Sequence, residues 1–521
     1  MSDRSGRALR SRIFTRKTVE TVQAEALSQG LKRSLSATNL VFLGVGCILG
    51  AGIFVMTGTA AANFAGPGVV LSFMIAGLAC ALTGLCYAEL ASTMPVSGSS
   101  YTYCYATIGE IAAWALGWLL LLEYGLAAAA LAVGFSGYLT SLLADFGILV
   151  PAFIATPTVQ SVITPGGTDF IYGGGVNLIA AATIAIVTVI LVIGIRESAQ
   201  ANNVMVVIKI LVLIAFIIVG VSAVAPENWQ PFIPENEGEF TYGWAGVFRA
   251  ASVLFFAYIG FETVSTAAAE ARKPQRDVPI GILGALIVCT TVYIAVSLVL
   301  TGIVPFRELN VPDPIALAVD RMAMPEFAVV VKFGALMGLG SVLLVNAYGQ
   351  SRVSFAMSKD GLLPPLFSAL HPKYVTPWLG TITYGVISAA GAALLPITLL
   401  ADLISLGIAS AFSIVCFSLM WLRSKRPDLA RPFKVPFGGF MVGKVWIGYI
   451  PVAAILLCWL MIVPVLMDIV GQALRGDIIP AVILGSYAVA GLVLYFTYGV
   501  RHARAGREDT APCPEIGKSQ G

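Results

Sequence analysis

The sequence predicts an all-α integral membrane protein with twelve spans, and three observations predict it. Of its 521 residues, 58% are hydrophobic and only 11% are charged, with a mean hydropathy of +0.88, well beyond the apolar content of a soluble globular chain. Apolar runs of about 20 residues, the length that carries a helix across a bilayer core, recur along the chain. Positive charge collects in alternate connecting segments, as a membrane topology requires.

The runs fall at 39–62, 69–91, 112–143, 176–195, 202–224, 244–268, 279–303, 328–349, 378–395, 399–422, 445–469 and 478–500. Before the first, Met1 to Ser36 is basic and polar and has no apolar signal-peptide core, so residues 1–37 read as a cytoplasmic tail with the composition of a disordered segment. Residues 501–521 read as a second cytoplasmic tail. Of the 31 Lys and Arg, 25 lie on one side if the N-terminus is cytoplasmic, in the two tails, at position 196 and in the segments 272–276, 352–373 and 423–444. Only Arg307, Arg321 and Arg475 fall opposite, while Lys209, Arg249 and Lys332 lie within spans or at their edges. This asymmetry predicts a multi-pass protein of the cytoplasmic (inner) cell membrane with both termini inside.

Several function classes drop out. The net charge of +3 offers no basic surface for nucleic acid. Eight scattered cysteines form no CxxC pair, and the two histidines, His371 and His502, cannot assemble a metal cluster, so neither a metal nor a cofactor is expected. There is no Gly-x-Ser-x-Gly elbow and no Walker loop, which removes the obvious hydrolase and ATP-driven readings and leaves transport along a gradient, with no enzymatic activity.

Two spans contain sequence that does not suit a continuous helix. In the first, Gly44, Gly46, Gly50 and Gly52 fall within nine residues near mid-depth, a density that invites unwinding or, alternatively, close helix packing. The spacing is not G-x-G-x-x-G and no strand precedes it, so a dinucleotide loop is set aside. The sixth span carries Leu254-Phe-Phe-Ala-Tyr-Ile-Gly-Phe-Glu262 at similar depth. Spans one and six open two five-span halves, and interruptions at corresponding positions point to an inverted-repeat transporter with its site at the midplane. Freed N–H groups at one break suit a carboxylate and freed carbonyls suit an ammonium, so the expected ligand is an α-amino acid head group.

Lys209 stands in the otherwise aliphatic run Val204 to Val224, twelve residues from Glu197, about 18 Å along a helix and beyond the reach of a snorkelling side chain. A lone ammonium there costs several kcal/mol unless it is paired. A lysine held away from water can exchange its proton near neutral pH, which suits proton coupling; the alternative is a structural lysine hydrogen-bonded between helices.

These residues resemble the amino acid–polyamine–organocation (APC) superfamily, and within it the bacterial members of the cationic amino acid transporter group, over residues 30–500. The marks are Gly50-Ala51-Gly52-Ile53-Phe54, Tyr87-Ala88-Glu89-Leu90 leading into Pro95-Val96-Ser97-Gly98-Ser99, Phe256 to Glu262, and Arg352 with Met357-Ser-Lys-Asp-Gly361. The resemblance implies the LeuT-type 5+5 inverted repeat, with helices 1 and 6 broken, a first repeat at 38–224, a second at 244–422 and two further spans within 445–500. It places the substrate carboxylate at Gly50, Ala51 and Gly52, where several relatives have Ser or Thr in place of Ala51. The amine goes to carbonyls at Ile48, Phe256 and Ile259, with Ala257 in the same segment. Phe256 matches the aromatic that closes over substrate, or else packs in the core.

Lys209 resembles the lysine that occupies the sodium position in proton-coupled relatives. Glu123, in the third span, either faces the ligand or is a buried structural carboxyl, and Asn346 matches a position that tunes side-chain size. Glu89 and Glu262 fit gating or loop anchoring. Arg272, Lys273, Arg276, Arg352 and Lys359 read as positive-inside residues, with an ion-pair gate to Asp277 or Asp360 as the alternative. The expected activity is import of α-amino acids, neutral and broad in range, by proton symport and alternating access. An antiporter or facilitator, including one for Lys and Arg, is the alternative. The expected partners are substrate, protons and lipid; the sequence does not reveal whether a small accessory membrane protein joins them.

Overall fold

The computed structural model describes residues 34–96, 99–164, 167–194 and 198–503. Most of both expected tails, Arg196, Glu197, Cys513 and the Ser97-Gly98 part of one motif lie outside the described residues.

Helices dominate: α1 (Ala37–Ile48), α2 (Val69–Thr93), α3 (Ser99–Thr107), α4 (Glu110–Asp145), α5 (Leu178–Ile193), α6 (Ser198–Gly220), α7 (Gly243–Leu254), α8 (Pro274–Ile303), α9 (Pro314–Arg321), α10 (Pro325–Lys359), α11 (Trp378–Leu394), α12 (Ile397–Lys425), α13 (Tyr449–Arg475) and α14 (Ile479–Leu494). Among the described residues, nine helical stretches are long and apolar enough to cross a membrane, and α1, α5 and α11 are shorter apolar helices. The chain is thus a multi-pass membrane protein. Local chemistry sets the helix starts. Ser36 caps α1 by accepting from the Asn39 N–H at 3.3 Å, and Asn177 caps α5 by accepting from Ala180 at 3.0 Å. Pro274, Pro314 and Pro325 stand at first helical positions, where no amide donor is needed.

The core lies between α1, α2, α4, α8, α10 and α12, with α5 packed on α11. Small residues on α4, Ala127 to Ala130, let neighbouring helices approach closely. The outward faces of α5, α6 and α13 expose Ile186, Val189, Leu211, Ile218, Leu456 and Trp459, as suits surfaces that meet lipid. α14 is held by a reciprocal pair: Trp118 Nε1 donates to the Tyr487 carbonyl at 3.1 Å, and the Tyr487 hydroxyl donates to the Trp118 carbonyl at 2.6 Å.

The structure departs from the sequence expectation in three places. Two connecting segments fold as antiparallel hairpins, β1 (Val159–Thr164) with β2 (Gly167–Tyr172) and β3 (Gly439–Val442) with β4 (Val445–Gly448), so the fold is predominantly rather than wholly helical. Residues 445–448, assigned above to a span, belong to β4, because their N–H and C=O groups pair across a two-residue turn with β3. α10 runs on to Lys359, past the expected end at 349, so Arg352 and Lys359 are helical.

Candidate functional site

Both interruptions are present. α1 ends at Ile48, Leu49 is extended at φ −70° and ψ 90°, and the chain resumes as a π-helical turn over Gly52–Met56. α7 ends at Leu254 and passes through a 3-10 turn over Phe255–Tyr258. Ile259 is then extended at ψ 137°, and Gly260 has φ +114°. The breaks face each other: a Cβ on Gly52 would collide with Ala257, and one on Gly260 would lie 2.7 Å from Cys47 Cβ.

In a continuous helix each N–H reaches the carbonyl four residues back. Here the Ile53 N–H instead reaches Gly50 at 3.2 Å, and the orphaned carbonyls find side chains. Lys209, fully buried on α6, donates from Nζ to the carbonyls of Gly46 and Leu49, the latter at 2.9 Å. These are the acceptors that the Gly50 and Ile53 N–H groups would otherwise use. The Tyr293 hydroxyl on α8 lies 2.9 Å from the Ile48 carbonyl, the acceptor that Gly52 would use, and 2.6 Å from the Ala257 carbonyl at the second break. Its single proton serves one of the two at a time. Beyond the first break, the Tyr138 hydroxyl donates to the Phe54 carbonyl at 2.7 Å.

A small pocket lies between the breaks, and Ile48, Gly50, Ala51, Gly52, Phe256, Ala257, Ile259 and Asn346 all line it. Cys47, Ala127, Leu131 and Val342 complete the wall. The structure therefore brings together every nominated substrate residue except Glu123, which lies one helical turn from Ala127 and two from Leu131 on the same face of α4. Glu123 is fully buried, and neither of its carboxyl oxygens has a hydrogen-bond partner. Asn346 donates from Nδ2 to the Val342 carbonyl at 3.0 Å, and the Phe256 carbonyl accepts from the Ile259 N–H at 3.1 Å. Tyr293 was not singled out from the sequence; the single aromatic side chain of an apolar span was the available signal.

The remaining nominated charges bind locally. Glu262 Oε2 accepts from the Gly260 N–H at 2.9 Å, tying down the second break. Glu89 Oε1 accepts from Arg423 Nε at 2.7 Å, and its Oε2 accepts from the Val435 N–H at 2.7 Å, anchoring the segment after α12. Arg272 donates from its backbone N–H to Leu35 at 2.8 Å and from Nε to Ser34 at 2.9 Å. Asp277 accepts from the Lys273 N–H at 3.0 Å, and Asp360 from the Tyr101 hydroxyl at 2.9 Å. Arg352 lies over the Tyr348 ring and Lys359 over the Phe355 ring.

The amino acid permease family model matches residues 35–488. The chain is 44% identical to the methylthioribose transporter of Bacillus subtilis over 82% of its own length and 89% of that protein's. It is 41% identical to the branched-chain amino acid permease BcaP of Bacillus subtilis, covering 95% of this chain and 99% of the permease. It is 38% identical to the vacuolar cationic amino acid transporter 4 of Arabidopsis thaliana, over 76% of this chain and 64% of the plant protein.

Proposed function

Because the chain belongs to the amino acid permease family of the APC superfamily, we propose that it is a secondary active transporter importing neutral α-amino acids by proton symport. The supporting observation is the use of side-chain donors at the first break. Lys209 and Tyr293 engage the Gly46, Ile48 and Leu49 carbonyls, so the N–H groups of Gly50, Ala51 and Gly52 are available to a substrate carboxylate. The second lone pair of the Ile48 carbonyl and the carbonyl of Ile259 receive the amine. The wall formed by Ala127, Leu131 and Val342 fits a small or branched aliphatic side chain, in keeping with the name of the BcaP relative.

In this reading the helices form a twelve-span 5+5 repeat of the LeuT type with both termini in the cytoplasm, and alternating access moves the broken helices against α4 and α10. Protonated Lys209 holds one arrangement of the first break; losing the proton releases it. An exchanger, in which the ammonium is a fixed surrogate cation, is the competing reading. Radiolabelled uptake into proteoliposomes tests both, with and without an inward proton gradient, offering alanine, leucine, lysine and methylthioribose. Gradient-stimulated uptake of alanine and leucine supports symport of neutral amino acids. Gradient-independent counterflow overturns symport, and preferential uptake of lysine or methylthioribose overturns the substrate assignment.

A further inference from the structure

Residues 426–448, which join α12 to α13, include the β3–β4 hairpin and carry Arg426, Arg431, Lys434 and Lys444 against a single acid, Asp428. Cross-strand partners share a face of a two-stranded sheet, so Phe440, Val442, Val445 and Ile447 lie on one face and Met441 and Trp446 on the other. The second face is turned to the protein: the Arg423 guanidinium on α12 lies 4.1 Å from the centre of the Trp446 ring. The strand is fixed there by the Trp446 N–H, which donates to Ser424 Oγ at 2.7 Å. The first face is directed away from α12. Its four side chains are all apolar, and Phe440, Val442 and Val445 are exposed.

This face runs into the lipid-facing side of α13. Tyr449, Leu456, Val463 and Val470 recur every seven residues, so they fall on one side of that helix, and they are 44–64% exposed. The Phe440 and Tyr449 rings lie 5.8 Å apart and join hairpin and helix into one apolar strip. Tyr449 begins α13 directly after β4, and the stretch from there to Met467 has no charged residue, so Tyr449 stands at the edge of the span, the level at which aromatic side chains meet lipid headgroups. Just before β3, Phe437 is 81% exposed in left-handed backbone at φ +62°, an unfavourable conformation for a bulky residue that here holds its ring outward. Displaying such a surface to water is costly, whereas beside lipid it is not.

We propose that the β3–β4 hairpin is a membrane-surface anchor: Phe437, Phe440, Val442 and Val445 enter the boundary between headgroups and acyl chains, and Lys434 and Lys444 bind the phosphate groups of anionic lipids. Lys444 stands in the two-residue turn between the strands and Lys434 ahead of β3, so the two cations flank the apolar strip, and neither is ion-paired among the described residues. Apolar and cationic groups side by side are what an interfacial element presents to a bilayer. The other two cations of the segment are occupied, Arg431 at 3.6 Å from Glu89 and Arg426 at 3.5 Å from Asp428. Continuity with the outward stripe of α13 makes the bilayer the occupant, in preference to a second copy or a soluble partner. Through Arg423 and the Val435 N–H the same segment grips Glu89 at the end of α2, so lipid contact at the hairpin steadies that end of α2. Which leaflet is entered follows from the topology proposed above; the insertion itself does not.

Fluorescence quenching of the full-length protein in lipid nanodiscs tests the anchor. Seven cysteines are buried, so Val442→Cys in a Cys513→Ser background offers one accessible thiol for a polarity-sensitive label. Lipids brominated on their acyl chains should quench that label severalfold more than aqueous iodide does. Quenching by iodide and not by brominated lipid would leave the hairpin in water, and protection from both would place protein over it, a second copy or a terminal segment; either result overturns the anchor. Adding phosphatidylglycerol to phosphatidylcholine nanodiscs should increase quenching by brominated lipid, and adding Lys434→Gln and Lys444→Gln to the labelled protein should abolish that increase. An increase that survives both substitutions, or none in the unsubstituted hairpin, overturns the headgroup assignment. Nanodiscs expose both membrane faces to the same quenchers, so a wrong topology leaves the result unchanged and the two readings fail separately.

Discussion

The Lys209 ammonium and the Leu49 carbonyl meet at 2.9 Å, and the same nitrogen donates to Gly46 three residues earlier. A side chain from α6 thus takes over two hydrogen bonds that the first broken helix gives up. In a medium without water such orphaned carbonyls cost several kcal/mol, so the break and the lysine are one structural unit.

Replacing Lys209 with Ala removes both donors. Each carbonyl left bare costs about 1–3 kcal/mol, so the variant should unfold at lower temperature in detergent. Gradient-driven uptake should fall about tenfold or more, which corresponds to ~1.4 kcal/mol, while residual exchange continues without a pH gradient. Uptake that stayed fully gradient-dependent in well-folded Lys209→Ala would remove this residue from the coupling step.

Tyr293→Phe deletes the hydroxyl that lies between Ile48 and Ala257. Losing one buried hydrogen bond costs ~1 kcal/mol, so KM should rise by about fivefold with little change in expression or aggregation state. Uptake kinetics across a substrate range read this directly. An unchanged KM would mean that the two breaks keep their relative position without the phenol.

The sequence disclosed what is costly in lipid and local along the chain. Lys209 stood out because an ammonium amid aliphatics needs a partner, and the first break stood out because Gly44 to Gly52 concentrates glycine. Partners distant in sequence were hidden. Nothing near Tyr293 signals that it meets Ile48, 245 residues away, or near Arg249 that it meets Asp402 and Asp468, because these encounters depend on how helices cross. The end of α10 was misplaced because hydropathy falls after Ala347 while the backbone remains helical to Lys359. The hairpins left no comparable mark because their strands are only six and four residues long, too short to stand out as apolar runs.

Gly260→Ala tests the contact between the breaks. At φ +114° a side chain is strained by about 1–3 kcal/mol, and its Cβ would lie 2.7 Å from Cys47 Cβ and 2.8 Å from the Cys47 carbonyl carbon. The variant should lose uptake and unfold at lower temperature. Gly485→Ala, on an open face of α14 with nothing within 4 Å, should do neither and serves as the control. Normal transport by Gly260→Ala would show that the second break adopts another conformation during the cycle.

The short helix α9 is bound to the bundle by Lys332, which is 1% exposed and donates to both oxygens of Asp145 at 2.8 Å and lies 2.9 Å from Asp320. Asp313 at the start of α9 shares this environment. Burial pushes its carboxyl up from 3.8 to about 6, against the opposing effects of a Ser141 hydrogen bond and the Lys332 charge. When α9 lifts away, the carboxyl returns towards its ordinary value, so the seated state holds more protons between these two limits. Seating of α9 is therefore favoured as pH falls from 7 through 6 towards 4, and ionisation of Asp313 opposes it above 6. Asp313→Asn keeps the site neutral throughout. The protection of α9 amides from hydrogen exchange, corrected for intrinsic rates, should rise on going from pH 7 to pH 5 in the wild type and change less in Asp313→Asn. Equal pH dependence in the two proteins would assign the effect to other groups, and a fall in wild-type protection would reverse its sign.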